Sequence, residues 1–344
     1  MSNAASRLDD FRHRRTILVT GGAGYIGSHA VLALRDAGWQ VAVIDNLTTG
    51  FRWAVPDDVA FFEGDIADGP LLARIISDQS IGAILHFAGS IIVPESVSDP
   101  LKYYANNTVK SRALIEAAVT GGVKHYIFSS TAATYGTPAT DGPIMESAPQ
   151  VPINPYGTSK LMTEWMLRDV AAAYDFNYCA LRYFNVAGAD PRARTGQSTA
   201  GATHLIKVAV EAALGKRDHV AVFGTDFDTP DGTGVRDYIH VSDLAHAHVL
   251  ALEHLISDPA SSHTLNCGYG HGYSVLEVLN AVDRVTNLKI ERKVAGRRAG
   301  DPAALTADSN AIRSRFGWTP QHDDLEMIVR HALAWERKLM DVKR

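Results

Sequence analysis

Short apolar runs and longer amphipathic stretches alternate through the first half of this chain. Thr16 to Thr20, Val41 to Ile44, Val59 to Ile66, Ala83 to Gly89, Tyr126 to Phe128 and Tyr178 to Arg182 have the length and β-branched or aromatic content of buried strands. Between them, Ser28 to Ala37 and a segment from about Tyr103 to Val119 predict helices, the first closed by Gly38. A further helix is predicted after Asn154, which suits an N-cap, and Pro155, which suits the first helical position. Strand and helix in alternation predict an α/β fold, a Rossmann-type doubly wound parallel sheet. After Asn185 the pattern changes. Ala187 to Gly201 and Asp226 to Gly234 read as loops rich in turn formers, and strand-like residues return at Val235 to Val241. This predicts a smaller, mixed α/β C-terminal domain. The expected division is 16–185 plus about 236–268 for the sheet domain, and about 186–235 plus 269–344 for the second. Residues 1–15 are polar and are expected to form a flexible arm.

Composition narrows the class. At 344 residues and 46% apolar content, the chain supports a sizeable core. A formal charge of −5 gives no general attraction to nucleic acid or to an anionic membrane. No apolar run is long enough to span a bilayer, and the polar N-terminus is not a signal peptide. Cys179 and Cys267 are too few for a disulfide framework and lack metal-ligand spacing, which fits a cytoplasmic protein without a metal.

Candidate chemistry sits at the strand ends. Gly22-Ala23-Gly24-Tyr25-Ile26-Gly27, with Gly21 in front, lies between the first strand and its helix, the context a dinucleotide fingerprint requires. Small glycines let the backbone approach a pyrophosphate at the helix N-terminus. Asp45 ends the second strand, about ~20 residues on, where an acid accepts hydrogen bonds from an adenosine ribose and repels a 2′-phosphate. NAD is therefore expected over NADP; the plainer alternative for Asp45 is a strand-end turn acid. Tyr156 and Lys160, four apart, share one helix face. A nearby ammonium lowers a phenol pKa and makes a base of it, although this spacing alone occurs in many helices. His86 reads as a strand histidine satisfied within the fold.

These motifs together resemble the extended short-chain dehydrogenase/reductases, and among them the UDP-sugar 4-epimerases, over nearly the whole chain from Thr16. Gly21 to His29, Tyr183-Phe184-Asn185 and Gly232 to Val241 carry the likeness. The resemblance implies Tyr156 as base, Lys160 as its electrostatic partner and ribose ligand, and Thr131 as the hydroxyl bonding the sugar C4 oxygen. It implies cofactor contacts from Gly21, Gly24, Tyr25, Ile26, Gly27, Asp45, Asn46, Asp65, Ile66, Phe87, Ala88, Gly89, Asn107, Ser129, Tyr156, Lys160 and Tyr183. It implies substrate contacts from Thr131, Tyr156, Asn185, His204, Leu205, Arg236, Arg298 and Asp301, and a homodimer through the helices at about Tyr103 to Val119 and Tyr156 to Tyr174. Three positions depart from the family pattern or bear on substrate choice. Ile91 stands where a cofactor-contacting lysine is common, His204 where an asparagine is common, and Leu305 at the position that gates N-acetylated sugars. UDP-glucose/UDP-galactose is the expected pair, with UDP-xylose/UDP-arabinose and N-acetylated hexoses as alternatives. A sister dehydratase is disfavoured because Ala132 and Ala133 follow Thr131 and cannot transfer protons. A non-catalytic NAD sensor would have no use for Tyr156, Lys160 and Thr131 together.

Overall fold

The computed structural model describes residues 2–138, 142–298 and 301–342. Six parallel strands follow in chain order: β1 (Thr16–Thr20), β2 (Gln40–Asp45), β3 (Ala60–Glu63), β4 (Ile81–His86), β5 (His125–Thr131) and β6 (Asn177–Tyr183). With the strand His263–Cys267 they form one seven-stranded sheet. From one edge the order is His263–Cys267, β6, β5, β4, β1, β2, β3, parallel throughout. β1, β2, β4, β5 and β6 are buried almost end to end, because helices cover both faces and no solvated face remains to demand alternation. Separate apolar clusters lie on the two faces. Val19, Val43, Leu85 and Leu181 belong to one; Leu18, Ile84, Tyr126 and Phe128 belong to the other.

The strand order reverses between β1 and β4, so their C-terminal ends open a crevice at the switch point. The smaller elements of the second half lie outside this sheet. Val220–Phe223 pairs with Arg292–Ala295, and Val235–Arg236 is flanked by Tyr273–Ser274 and Ala304–Leu305. Tyr238–His240 pairs with Asn185–Ala187. The predicted single run Val235 to Val241 is thus two short strands in different sheets.

The N-terminus departs from expectation. Ser2–Arg14 is a helix, not a flexible arm. Phe11 meets Trp39 and His125 edge-on, and the Arg12 guanidinium lies over the Trp39 ring and pairs with Glu253. The residues are polar on average, but one stripe fits the base of the sheet, and tertiary packing sets the outcome.

The predicted helix from Tyr103 is also more than a plain helix. It runs from Pro100 to Thr120 and contains a π-helical segment, Tyr104–Val109. The wide turn carries Asn106 and Asn107 toward the loop after β4.

Candidate active site

The C-terminal ends of β1 to β5 and the N-termini of two helices build the site. Gly21 has φ +68°, and a Cβ there would lie 2.6 Å from Ala88 N. At Gly27 a Cβ would lie 2.1 Å from Gly21 O. Both glycines let the turn close on itself. At Gly24, which lines the cleft, a Cβ would press on Gly21 O at 3.3 Å. The helix Tyr25–Asp36 starts three residues earlier than predicted and has no side-chain cap, so its first amides point into the crevice. An uncapped helix start behind a glycine turn fits a pyrophosphate.

Asp45 closes this cradle from β2. Its carboxylate accepts from Ala23 N at 2.9 Å and Leu47 N at 2.8 Å. Burial raises its pKa, and those two bonds oppose the rise. The acid is therefore both a turn former and a cleft-lining acceptor with lone pairs to spare. Asp65 accepts from Lys110 Nζ at 2.5 Å and from Ala67 N. Burial works to raise its pKa, but Lys110 holds it below the usual carboxylate range.

On the other side, the helix Pro155–Ala173 is capped as predicted: Asn154 Oδ1 accepts from Gly157 N at 2.9 Å. Tyr156 in its first turn faces the cleft, with the Tyr103 ring edge-on at 6.5 Å. Burial raises the Tyr156 pKa, and the Thr131 side chain opposes that. Lys160 lies one turn on, buried, and donates to Ser129 O at 2.9 Å. Burial lowers its pKa to about 8. The lowering of the Tyr156 pKa is expected from Lys160 together with a cationic nicotinamide ring, so the protein alone does not test it. The ammonium points at the strand end, and desolvation of the phenol dominates.

The strand end is held rigidly from behind. Glu164 accepts from Ser130 Oγ and takes a two-point ion pair from Arg182, with Nη2 at 2.5 Å and Nε at 2.9 Å. Both charged side chains are buried. Ser129 Oγ bonds to Tyr183 Oη. His86 is satisfied by Thr20 and Ser111, as expected of a structural histidine.

The cleft between these parts has a volume of about 1340 Å³. That exceeds the ~300–1,000 Å³ of a pocket for one drug-sized ligand and leaves room for a dinucleotide and a second nucleotide. Its walls include Gly21, Gly24, Tyr25, Ile26, Gly27, Asp45, Asn46, Asp65, Ile66, Phe87, Ala88, Gly89, Ser129, Thr131, Tyr156 and Tyr183. The far end brings in Asn185, His204, Leu205, Arg236, Arg298 and Asp301. Arg236 pairs with Asp301 at 2.6 Å, and Arg298 stacks on Phe223 with 3.8 Å to the ring centroid.

Three residues singled out from the sequence are not among these walls: Lys160, whose ammonium is turned to Ser129 O, Asn107 and Leu305. Asn107 is buried behind the wall: Ser90 N donates to it at 2.7 Å, and its amide donates to Ser90 O and Ser159 Oγ. The π turn aims it at the loop and the tyrosine-bearing helix, so it braces the wall instead of lining it. Leu305 packs into a small apolar cluster with Ala132, Tyr135 and Ile144. Ile91 is exposed along the cleft. Sequence reasoning missed Phe223, Lys110 and Gln197 as cleft residues. Only Phe223 carried a local signal, the apolar run Val220-Ala221-Val222-Phe223 before Gly224. The other two are ordinary polar residues brought in by topology.

Comparison with known proteins agrees with this geometry. The model of the NAD dependent epimerase/dehydratase family matches residues 17–268. A UDP-glucose 4-epimerase from Azospirillum brasilense is 57% identical over 323 residues, covering 94% of this chain and 92% of that one. The crystal structure of UDP-glucose 4-epimerase from Brucella ovis in complex with NAD is 44% identical, with a TM-score of 0.90, covering 93% and 98% of the two chains. A UDP-glucose-4-epimerase from Stenotrophomonas maltophila, with bound NAD and formylated UDP-arabinopyranose, is 39% identical with a TM-score of 0.92, covering 95% and 99%.

Proposed function

Since the chain belongs to the NAD dependent epimerase/dehydratase family, we propose that it inverts C4 of a UDP-sugar, with UDP-glucose/UDP-galactose as its pair. One observation carries this most directly. Tyr156 and Thr131 line the same cleft as the glycine cradle and as Arg236 and Arg298. A sugar placed there has its C4 oxygen beside a base, and its nucleotide at the arginines. The likeness to relatives named UDP-glucose 4-epimerase supports the substrate class.

NAD, when bound, supplies a reversible oxidation at carbon, which no side chain here provides. Gly24, the first amides of the helix at Tyr25 and Ile26 and the acceptor Asp45 are the residues that would hold it. Tyr156 Oη takes the proton of the sugar 4-hydroxyl and later returns it, and Thr131 keeps that oxygen in register. Lys160, fixed by Ser129 O, contributes a positive charge behind the phenolate. Arg236 and Arg298 grip the diphosphate end, which leaves the sugar free to present either face of its 4-keto form. Ala132 and Ala133 next to Thr131 leave no acid to expel a neighbouring hydroxyl, which sets the reaction apart from dehydration. The test is incubation of the purified protein with each UDP-sugar without added reductant, separating epimers by chromatography. Interconversion of UDP-glucose and UDP-galactose is expected; preference for pentose or N-acetylated pairs would move the substrate assignment.

The division into a sheet domain and a smaller substrate domain, as drawn from the sequence, belongs to the same reading: the cleft runs between the sheet ends and the later elements. No described helix is long and apolar enough to cross a membrane. A cytoplasmic homodimer is the natural form of such a chain. Val97, Leu101, Val109 and Trp165 are exposed on helical segments that pack side by side and would form the shared face. Sedimentation of the purified protein tests this; a monomer at micromolar concentration would refute it.

A further inference from the structure

The loop after β4 forms one wall of the cleft from Phe87 to Glu95. It starts at the glycine turn, where a Cβ on Gly21 would lie 2.6 Å from Ala88 N. It then passes the reactive helix, where a Cβ on Gly89 would lie 3.7 Å from Lys160 Nζ. The loop therefore follows the course of a dinucleotide from its pyrophosphate toward Tyr156. Its own side chains do little to hold it there: Ile91, Ile92 and Val93 are all exposed. A loop with few buried apolar contacts keeps its shape through hydrogen bonds to its main chain. Asn107 supplies them at Ser90, accepting from its N–H and donating to its carbonyl.

Tyr103 supplies them at Ile92. It ends the short helix Pro100–Tyr103 and is fully buried. Ile92 N donates to Tyr103 Oη at 2.8 Å and has no other acceptor among the described residues. The hydroxyl proton is shared between Ile92 O at 2.6 Å and Glu95 Oε2 at 2.9 Å. Ile92 O also accepts from Ser96 N, so the pinned residue is the start of the helix Val93–Ser98. Glu95 is paired in turn with Lys102 at 2.5 Å. Burial and the Glu95 carboxylate raise the Tyr103 pKa, so the hydroxyl keeps its proton and stays neutral beside Tyr156. The Tyr103 ring stands edge-on to that of Tyr156, a contact that phenylalanine would preserve.

We propose that Tyr103 is a positioning residue for the cofactor: its hydroxyl pins the main chain of Ile92 and so holds the loop after β4 along the bound dinucleotide. This rests on the NAD reading of the cleft and not on which sugar is used.

Tyr103→Phe isolates the hydroxyl. The full-length, NAD-loaded parent and variant are each mixed with isotope-labelled NAD, and replacement of the bound cofactor is followed by mass spectrometry. Replacement should be about tenfold faster in Tyr103→Phe, because the Ile92 N–H is left without its partner. Hydrogen exchange at the Ile92 amide of the loaded protein should quicken by a similar factor. At saturating NAD, KM for the UDP-sugar should stay within about threefold of the parent. Glu95→Gln serves as the comparison: it removes the competing carboxylate and leaves the Ile92 clamp, so cofactor replacement should change by less than about threefold. Parent-like NAD replacement in Tyr103→Phe overturns the proposal, as does an Ile92 amide that exchanges equally fast in both proteins. Glu95→Gln releasing NAD as fast as Tyr103→Phe overturns it too, since the loop would then be held through Glu95. A parent that carries no NAD overturns the cofactor reading itself, and the proposal with it.

Discussion

The ammonium of Lys160 and the carbonyl of Ser129 are joined by a buried hydrogen bond of 2.9 Å, which ties the helix of Tyr156 to the end of β5. The lysine therefore carries its charge in a place poor in water. Its pKa falls from 10.5 to about 8 because burial penalises the charged form.

That shift has a thermodynamic sign. Between about pH 8 and 10.5 the unfolded chain holds a proton that the folded protein has released, so this group makes stability rise with pH across the window. Below about 8 both states are protonated, and the full burial penalty applies. Lys160→Met should thus be more stable than the parent at pH 7, by on the order of 1–3 kcal/mol, while losing turnover. Denaturant melts at several pH values check this. A less stable Lys160→Met at pH 7 would contradict it.

Tyr156→Phe should lower kcat by about 10²–10⁴-fold, the usual worth of a positioned acid–base group, while NAD content stays unchanged. The same residue gives an optical signal. Burial raises its pKa in the protein alone. Binding of NAD places a positive charge nearby, so the tyrosinate absorbance should appear at lower pH in the NAD-loaded protein than in the stripped one. That difference should vanish in Tyr156→Phe.

Arg182 and Glu164 are both buried and bonded at two points. Removing one strands the other in a dry interior. Arg182→Ala or Glu164→Ala should therefore destabilise by about 3–5 kcal/mol, more than a surface pair would. Replacing both by apolar residues of similar size should cost much less. Urea titrations of the two single variants and the double variant measure the difference.

The sheet was legible because its signals are local. β1 to Asp45 and the glycine turn between them are set by apolar runs and by backbone space that only glycine permits. The Asn154-Pro155 start of the tyrosine-bearing helix was equally local. What escaped depends on distant partners. Phe11 acquires its role from Trp39 and His125, and Lys110 from Asp65. The π turn that diverts Asn107 to Ser90 leaves no mark in helix periodicity. Tyr103 matters only because Ile92 lies beside it.

The N-terminal helix gives a prediction of its own. Phe11→Ala removes a ring packed against Trp39 and His125. Because Phe11 is only partly buried, the loss should be about 1–3 kcal/mol, below that of a full core phenylalanine. Thermal melts check it, and turnover at low temperature should stay near that of the parent, since the helix lies at the base of the sheet.

The central claim is that one sugar carbon loses its hydrogen and regains it on the opposite face within a single site. UDP-glucose deuterated at C4, incubated with the NAD-loaded protein in ordinary water, tests this by mass spectrometry and NMR of the products. The account predicts UDP-galactose with the deuterium still on C4. UDP-glucose recovered unchanged, or UDP-galactose with C4 hydrogen drawn from solvent, would contradict it.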